Sequence, residues 1–461
     1  MKKKLILFPG LIPAKEISSN CLDSDIVGVI VKSKKISNFN CFSKDVLRSK
    51  ESFLEDNRHV KVSNNNPFEK YADCYGYVIN DSRTIFIAER QLRLYGINGA
   101  FQLSNKIETL VYNILDYLLL KKPDRLVFQA TPHGIYTWVF AKVAEFLNIE
   151  VAFNAMTLLP WKYQPVIGLD AQIPLDVKRY QAFSNSDKTR VDSYVSKKMK
   201  DYSEAIPDYE KQRELKYKGK FFSFRNELNY LFKLGYKHLP FKVIECFRKK
   251  MSFDEYNKLA NIDYPKNNNI VFFLHFQPER TSLPEGGLFC NQLLIIRQLN
   301  ELARRYSLNV LVKEHPSMFR QPWDSSARSR YFYRQIHKMS HVHIVPLEVN
   351  SYELINTAVL NVTITGTVIL ESLLKGKPVL AYGLKQLPNI DGLIRYHDSD
   401  SSQKIERYIL DCDSVSDISF EKLELLLYEV DKSSFFVDIE YNTSIESFRF
   451  LCSDFSYDSE V

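Results

Sequence analysis

The chain has 461 residues, 45% hydrophobic and 25% charged, the composition of globular proteins able to bury a sizeable core over two or three domains. Its formal net charge is +7, from 62 Lys and Arg against 55 Asp and Glu, and its mean hydropathy is slightly negative. No apolar run reaches the roughly 18 residues of a membrane-spanning helix; the longest candidate, 110–120, is broken by Asn113 and Asp116. The seven cysteines are scattered and form no C-x-x-C pair. That usage suits a reducing compartment and speaks against a disulfide framework or a zinc site.

In chain order, Lys2–Lys4 and a short apolar stretch end at Pro9-Gly10 without a small-residue cleavage site, which predicts a first strand over 5–8 rather than a signal peptide. Further strands are expected over 26–31, 84–88, 125–128 and 149–153. A helix is expected over 105–120 behind a Ser104 cap. Its residues Ile107, Leu110, Val111, Ile114, Leu115 and Leu118 share one face. Another is expected over 135–147, stopped by Asn148, and the polar stretch 36–73 reads mostly as loop. These elements make an α/β lobe over 1–165.

Residues 166–267 read as a mainly helical, basic connector. Between 195 and 250 there are 15 Lys and Arg against 7 Asp and Glu, interleaved with Phe221, Phe222, Phe224, Tyr230, Phe232, Tyr236, Phe241 and Phe247. Such a segment either lies on an anionic membrane surface or is a solvated linker whose aromatics pack on the lobes.

A second α/β lobe is expected over 268–398. Strands fall at 270–275, 308–313, 342–345, 359–363 and 378–382, the last of the set, with helices over 288–305, 329–338, 351–357 and 367–375. Asn350 with Glu353 makes a capping pair, and Gly376 followed by Pro378 ends the helix before the last strand. The tail, 399–461, is expected to be helical over 420–430.

Ligands of open parallel sheets bind beyond the C-terminal ends of the strands. Three motifs fall at that edge of the second lobe. The first runs His275-Phe276-Gln277-Pro278-Glu279-Arg280-Thr281, then Pro284-Glu285-Gly286-Gly287. Its glycines Gly286 and Gly287 let backbone amides approach an anion, Arg280 can clamp a phosphate or carboxylate, and His275 and Gln277 add polar contacts. The second is Val312-Lys313-Glu314-His315-Pro316, where Lys313 and His315 can neutralise a departing phosphate and Pro316 fixes the chain's exit. The third is Thr365-Gly366-Thr367 with Glu371, hydroxyls and amides for phosphate oxygens and a carboxylate for ribose hydroxyls. In the first lobe, His133 of Gln129-Ala130-Thr131-Pro132-His133-Gly134 is a base or an acceptor contact. The plain alternatives are a polar turn, a helix cap with an exposed glutamate, and a structural histidine. Glu279 or Glu285 is the expected proton acceptor, with His133 behind them.

Metal is not expected. Asp23-Ser24-Asp25 precedes its strand, Asp398-Ser399-Asp400 lies in a polar tail, and His341 with His343 lacks a third ligand. There is no P-loop, G-x-G-x-x-G, H-E-x-x-H or G-x-S-x-G, no resident cofactor is expected, and no nucleic-acid partner.

The stretches 275–281, 284–287, 312–316 and 365–371, with Gly376–Pro378, resemble the bacterial capsular polysaccharide biosynthesis proteins, the group of the capsule Kdo transferases. The strongest likeness covers 270–382, with thinner support over 123–133. The His-Pro and Thr-Gly-x-x-x-x-Glu elements also resemble those of sialyltransferases. The resemblance implies a GT-B fold, α/β with two Rossmann-like lobes, and a metal-independent glycosyltransferase. Its partners would be a nucleotide-sugar donor, with a CMP-sugar such as CMP-Kdo favoured, and a capsular glycan or its lipid-linked acceptor. It implies donor-phosphate contacts at His315, Thr365 and Thr367, and a nucleotide-sugar contact at Glu371. The expected location is the cytoplasm, peripheral on the inner face of the membrane. Rival readings are a CDP-alcohol-dependent polyol-phosphate transferase on the same fold and a non-catalytic glycan-assembly protein.

Overall fold

The computed structural model describes residues 3–18, 25–39, 41–43, 45–54, 67–92, 99–170, 173–174, 188–200, 215, 222–223, 239–277, 280–320, 328–383, 389–410, 420–432, 434–436 and 445–453. The chain divides into two compact units, one of 1–93, 97–186 and 429–461, the other of 94–96 and 187–428.

The first unit is built on strands β1 (Lys4–Phe8), β2 (Asp25–Val31), β3 (Leu47–Ser49), β4 (Arg125–Phe128), β5 (Glu150–Met156), β6 (Lys162–Ile167) and β7 (Ile173–Pro174). They are arranged β6-β5-β4-β1-β2-β3, with β7 also on β6. Pairing is parallel from β3 to β5 and antiparallel at β6. The tail returns to this unit. Its strand Phe435–Phe436 extends the sheet beside β6, and Phe448, Phe450 and Leu451 of the helix Ile445–Cys452 pack with Leu5, Leu7, Val29 and Val127.

Three expectations fail here for physical reasons. Residues 84–88 are not a strand but part of the helix Ser82–Leu92. The β-branched and aromatic run Thr84-Ile85-Phe86-Ile87 imitates a strand. Yet it is Thr84, Ile87, Ala88 and Leu92 that are buried, at helical spacing. Within the stretch 36–73, the described residues hold β3, two short 3-10 segments and the start of the helix Pro67–Asn80, and 40, 44 and 55–66 lie outside the described set. Finally, the helix Ala100–Lys121 begins a turn before Ser104, behind Gly99, and Ser104 lies inside it, 2.5 Å from the Tyr75 hydroxyl.

The second unit has six parallel strands, β8 (Asn269–Phe273), β9 (Asn309–Lys313), β10 (Val342–Val345), β11 (Ala358–Thr363), β12 (Val379–Ala381) and β13 (Leu393–Arg395), in the order β10-β9-β8-β11-β12-β13. β13 is a strand beyond 378–382, where the sequence suggested the sheet would end. Both faces are covered, one by a core around Phe272, Val310, Val312, Ile344 and Leu360, the other around Val271, Phe273, Leu311 and Val345. That is why these strands are continuous apolar runs rather than alternating ones. The order is that of a doubly wound dinucleotide-binding sheet. The chain is therefore α/β with two Rossmann-like lobes, the GT-B-like class. From the basic connector, the helices Lys188–Lys200 and Leu239–Leu259 belong to this unit, and Tyr256 is in its core. Residues 201–214, 216–221 and 224–238 lie outside the described set. Among the described residues no helix is long and apolar enough to cross a membrane.

Candidate functional site

In the second unit β8 and β11 are neighbours, but the chain leaves β8 toward β9 and β10, and leaves β11 toward β12 and β13. The crevice beyond their C-terminal ends is the topological switch point, the preferred binding place of open α/β sheets. His275, two residues past β8, spans it. Its Nε2 lies 2.9 Å from the Thr365 amide, 3.1 Å from the Ile364 amide and 3.2 Å from the Thr363 hydroxyl. Two fixed N–H donors aim at one lone pair, so the proton of the neutral ring sits on Nδ1. Burial, then the neighbouring His315 and Arg328, lowers its pKa to about 3, and the ring is neutral at physiological pH. The ring edge lies so close to the turn that a Cβ on Gly366 would meet His275 Cε1 at 2.9 Å. Thr365 Oγ1 in turn donates to the Thr281 carbonyl at 2.9 Å. The Gln292 side chain pairs with both backbone groups of His275, at 3.0 and 3.2 Å.

The exit of β9 is joined to that of β8 by a buried arginine. Arg328 donates to Glu314 (2.9 Å), to the Gln277 side-chain oxygen (3.0 Å) and to the His275 carbonyl (3.1 Å). Glu314, almost wholly enclosed, also accepts from the Tyr333 hydroxyl at 2.7 Å and from the His315 amide at 2.8 Å. A buried carboxylate with this many donors holds its strand end rigidly. Gln277 completes its bonds with the Cys290 carbonyl at 2.6 Å. His315 accepts from the Ser317 amide through Nδ1 at 3.1 Å, which leaves Nε2 as the protonated nitrogen of the neutral ring. Its ring centre is 5.8 Å from that of Phe276. Pro316 carries the chain from His315 to the short helix Ser317–Arg320.

Lys313 turns elsewhere. Its ammonium donates to the carbonyls of Pro346 (2.8 Å) and Leu347 (2.6 Å), in the turn after β10. Burial lowers its pKa to about 7, with Glu348 and Glu314 pulling the other way. In the loop after His275, Arg280 and Glu285 form an ion pair at 3.4 Å, and Glu285 is buried. A Cβ on Gly286 would meet the Ser282 carbonyl at 2.4 Å, and Gly287 has φ +55°. Glu279 lies outside the described residues.

Thr367 precedes the helix Val368–Leu374, and Glu371 is buried on it. The Glu371 carboxylate is 2.6 Å from the ammonium of Lys198, on the helix Lys188–Lys200. The Lys198 ammonium is 5.9 Å from the centre of the Tyr194 ring, and burial, then Glu371, raises the Tyr194 pKa. Sequence reasoning missed Lys198, Arg328 and Gln292. For Lys198 a signal existed in the spacing, since Val191, Val195 and Lys198 fall at i, i+4 and i+7, the one helical face that the structure buries.

In the first unit His133 follows β4 and is exposed. Its Nδ1 donates to the Thr131 carbonyl at 2.9 Å, and Arg90 donates to its own carbonyl. Asp398 and Asp400 pair with Arg395 and Lys404 at 3.0 Å each. Among the described residues no group of three or more His, Cys, Asp or Glu is placed to hold a metal ion.

No protein-family model matches this chain, and no curated protein does. Among solved structures it matches the UDP-GlcNAc 2-epimerase of Methanocaldococcus jannaschii in complex with UDP-GlcNAc and UDP, at 14% identity and a TM-score of 0.24 over 89% of this chain and 92% of that one. It also matches an E. coli heptosyltransferase with ADP-2-deoxy-2-fluoro heptose, at 9% identity and 0.23, over 89% and 99%. A third match is the catalytic domain of starch synthase IV from Arabidopsis thaliana bound to ADP and acarbose, at 12% and 0.22, over 75% and 77%. None of the three superposes closely.

Proposed function

We propose that the chain is a glycosyltransferase whose second unit binds a nucleotide-activated sugar at the β8–β11 switch point, with a CMP-sugar favoured, and passes the sugar to a surface polysaccharide or its lipid-linked acceptor. The observation that carries this reading is the convergence of His275, Gln277, His315 and Thr365 at the C-terminal edge of a sheet with dinucleotide-binding strand order, supported by two polar bridges, His275 to the 364–365 amides and Arg328 to Glu314. The motif resemblance points to the same edge.

In this reading His315 donates from Nε2 to the departing phosphate without first taking up a proton, because Ser317 holds its other nitrogen. The hydroxyl of Thr367 and the amides of Gly366 and Thr367 contribute further donors, while Thr365, whose hydroxyl donates to the Thr281 carbonyl, braces the turn that presents them. Glu371, paired with Lys198, accepts from sugar hydroxyls of the nucleotide. Gly286 and Gly287 let the chain approach the ligand, Arg280 orients Glu285, and Glu285 is the proton acceptor, with Glu279 and His133 as alternatives. Lys313 supports the site from behind by holding the turn after β10. The protein works on the cytoplasmic face of the membrane, where its basic connector meets anionic lipid.

The test is thermal stabilisation by CMP, CDP, UDP and GDP, followed by transfer assays with the matching activated sugars. A ligand present at 100 times its Kd stabilises by about 2.7 kcal/mol. CMP is expected to stabilise most, and a protein unmoved by all four nucleotides overturns the reading.

A further inference from the structure

Register aligns the C-terminal ends of four neighbouring strands in the first unit. Val31 of β2 pairs with Ser49 of β3, so Lys32 and Lys50 leave the sheet side by side. Leu7 of β1 pairs with Val29, and Phe8 with Phe128 of β4, so Gly10 and Gln129 leave at the same edge. Gly10 has φ +59°, and the Gln129 side-chain oxygen accepts from the next amide, that of Leu11, at 2.8 Å. β1 and β4 are where the strand order of this sheet reverses, its own switch point.

Lys32, Lys34, Lys35 and Lys50 gather there. The Lys35 ammonium lies 3.2 Å from the Gly10 carbonyl. That of Lys50 sits 5.0 Å from the ring centre of Tyr136, in the first turn of the helix Ile135–Phe146 that follows β4. Lys35 and Lys50 are both partly buried, and burial is the first cause of their lowered pKa values. Repulsion comes next, from Lys32 and Lys34 on Lys35 and from Lys32 on Lys50, and Glu51 opposes it at Lys50. The Glu51 carboxylate is itself held by the Ser49 hydroxyl at 2.8 Å. Like charges drawn together and half-desolvated raise the energy of the empty protein, and an anion between them lowers it.

We propose that this edge of the first unit is an anion site built by Lys32, Lys35 and Lys50, which takes a phosphate or pyrophosphate group carried by a soluble ligand or by a lipid headgroup. The site is separate from the nucleotide reading of the second unit and does not depend on it.

The experiment titrates inorganic phosphate and pyrophosphate into the full-length chain at low ionic strength, by calorimetry, with Lys35→Gln, Lys50→Gln, the double variant and Lys50→Arg. Pyrophosphate is expected to bind, to weaken about tenfold on loss of either lysine and further on loss of both, and to be largely restored by arginine. The ligand-free glutamine variants keep or raise the thermal midpoint, because repulsion is relieved. Co-sedimentation with phosphatidylglycerol against phosphatidylcholine vesicles identifies the source. Loss of phosphatidylglycerol binding in the double variant assigns the site to a lipid phosphate. Loss of pyrophosphate binding alone assigns it to a soluble one. The proposal fails if the double variant binds pyrophosphate as the wild type does, if His315→Asn weakens that binding instead, or if the wild type binds none up to about 10 mM.

Discussion

The Nε2 atom of His275 lies 2.9 Å from the amide nitrogen of Thr365, so the second residue after one central strand is fastened to the turn after its neighbour. The bond runs from backbone to ring, so the histidine is an acceptor here and its remaining N–H is on Nδ1. An anion arriving at this turn meets the amides of Gly366 and Thr367, because those of Ile364 and Thr365 are already satisfied by the ring.

Removing that ring leaves two buried amide donors without an acceptor. Each such orphan costs about 1–3 kcal/mol, so His275→Ala is expected to lose roughly 2–6 kcal/mol of unfolding free energy, and His275→Gln, whose side-chain oxygen reaches the same amides, less. The sign of the pH effect follows from a folded pKa of about 3 against the ordinary histidine value of 6.5. Between those values the unfolded chain binds the extra proton, so this residue makes stability fall as pH drops from 6.5 toward 3. Urea denaturation of wild type and His275→Gln at pH 7 and 4.5 checks both points. An identical pH dependence in the two proteins would rule out a buried neutral ring.

At His315 one substitution separates the two ring nitrogens. Asparagine keeps an acceptor at the Nδ1 position for the Ser317 amide, as in an Asx turn, and removes the Nε2 donor. His315→Asn is therefore expected to fold within about 0.5 kcal/mol of wild type but to bind the stabilising nucleotide at least roughly tenfold more weakly. His315→Gln reaches further and keeps a donor near Nε2, so it should lose about 1 kcal/mol of stability and retain most of the affinity. Calorimetric titration beside thermal unfolding reads both columns. Equal nucleotide affinity in His315→Asn removes His315 from the site.

The second sheet was legible in the sequence because a strand buried on both faces must be an apolar run bounded by turn residues, as Ile270–Phe273 and Val310–Val312 are. Local chemistry was legible for the same reason. Asn350 accepts from the Tyr352 amide at 2.8 Å, and Gly376 adopts φ +64° at the end of its helix. Tertiary partners were not. Arg328 lies 53 residues from His275, and Lys198 lies 173 from Glu371, in a stretch where lysine is common. The helix Ser82–Leu92 was misread because a β-branched run carries the same composition in either conformation, and only the burial period decides.

The Lys198–Glu371 pair offers a test of how the basic connector joins the second unit. Both side chains are nearly enclosed, at 6% and 10% exposure. Breaking a buried pair on one side leaves an uncompensated charge, which costs about 3–5 kcal/mol, whereas replacing both partners by apolar groups of similar size is often neutral. Lys198→Met and Glu371→Leu are each expected to lose several kcal/mol, and the double variant to recover most of it. Chemical denaturation of the four proteins closes the cycle. Additive losses in the double variant would show that the two residues do not stabilise one another.

Lys313 gives the clearest signature in pH. Its folded pKa is near 7, lowered from 10.5 chiefly by burial, because its charged form exchanges water for two carbonyl oxygens. Between pH 7 and 10.5 the unfolded chain holds a proton that the folded chain has released. Stability from this residue therefore rises with pH across that window, and the full penalty is present below pH 7. At about 1.4 kcal/mol per pKa unit the effect amounts to a few kcal/mol at most. Lys313→Met removes the titrating group and keeps the length of its stem. At pH 7 the variant trades the burial penalty for two carbonyls left without a donor. At pH 9.5 the wild-type amine is neutral, still donates to one or both carbonyls, and no longer carries the penalty. The variant's stability relative to wild type is thus expected to be highest at pH 7 and to decline by about 1–3 kcal/mol at pH 9.5. Guanidinium midpoints at the two pH values measure the difference, and a relative stability that stays flat or climbs with pH would mean that Lys313 is charged in the folded protein throughout.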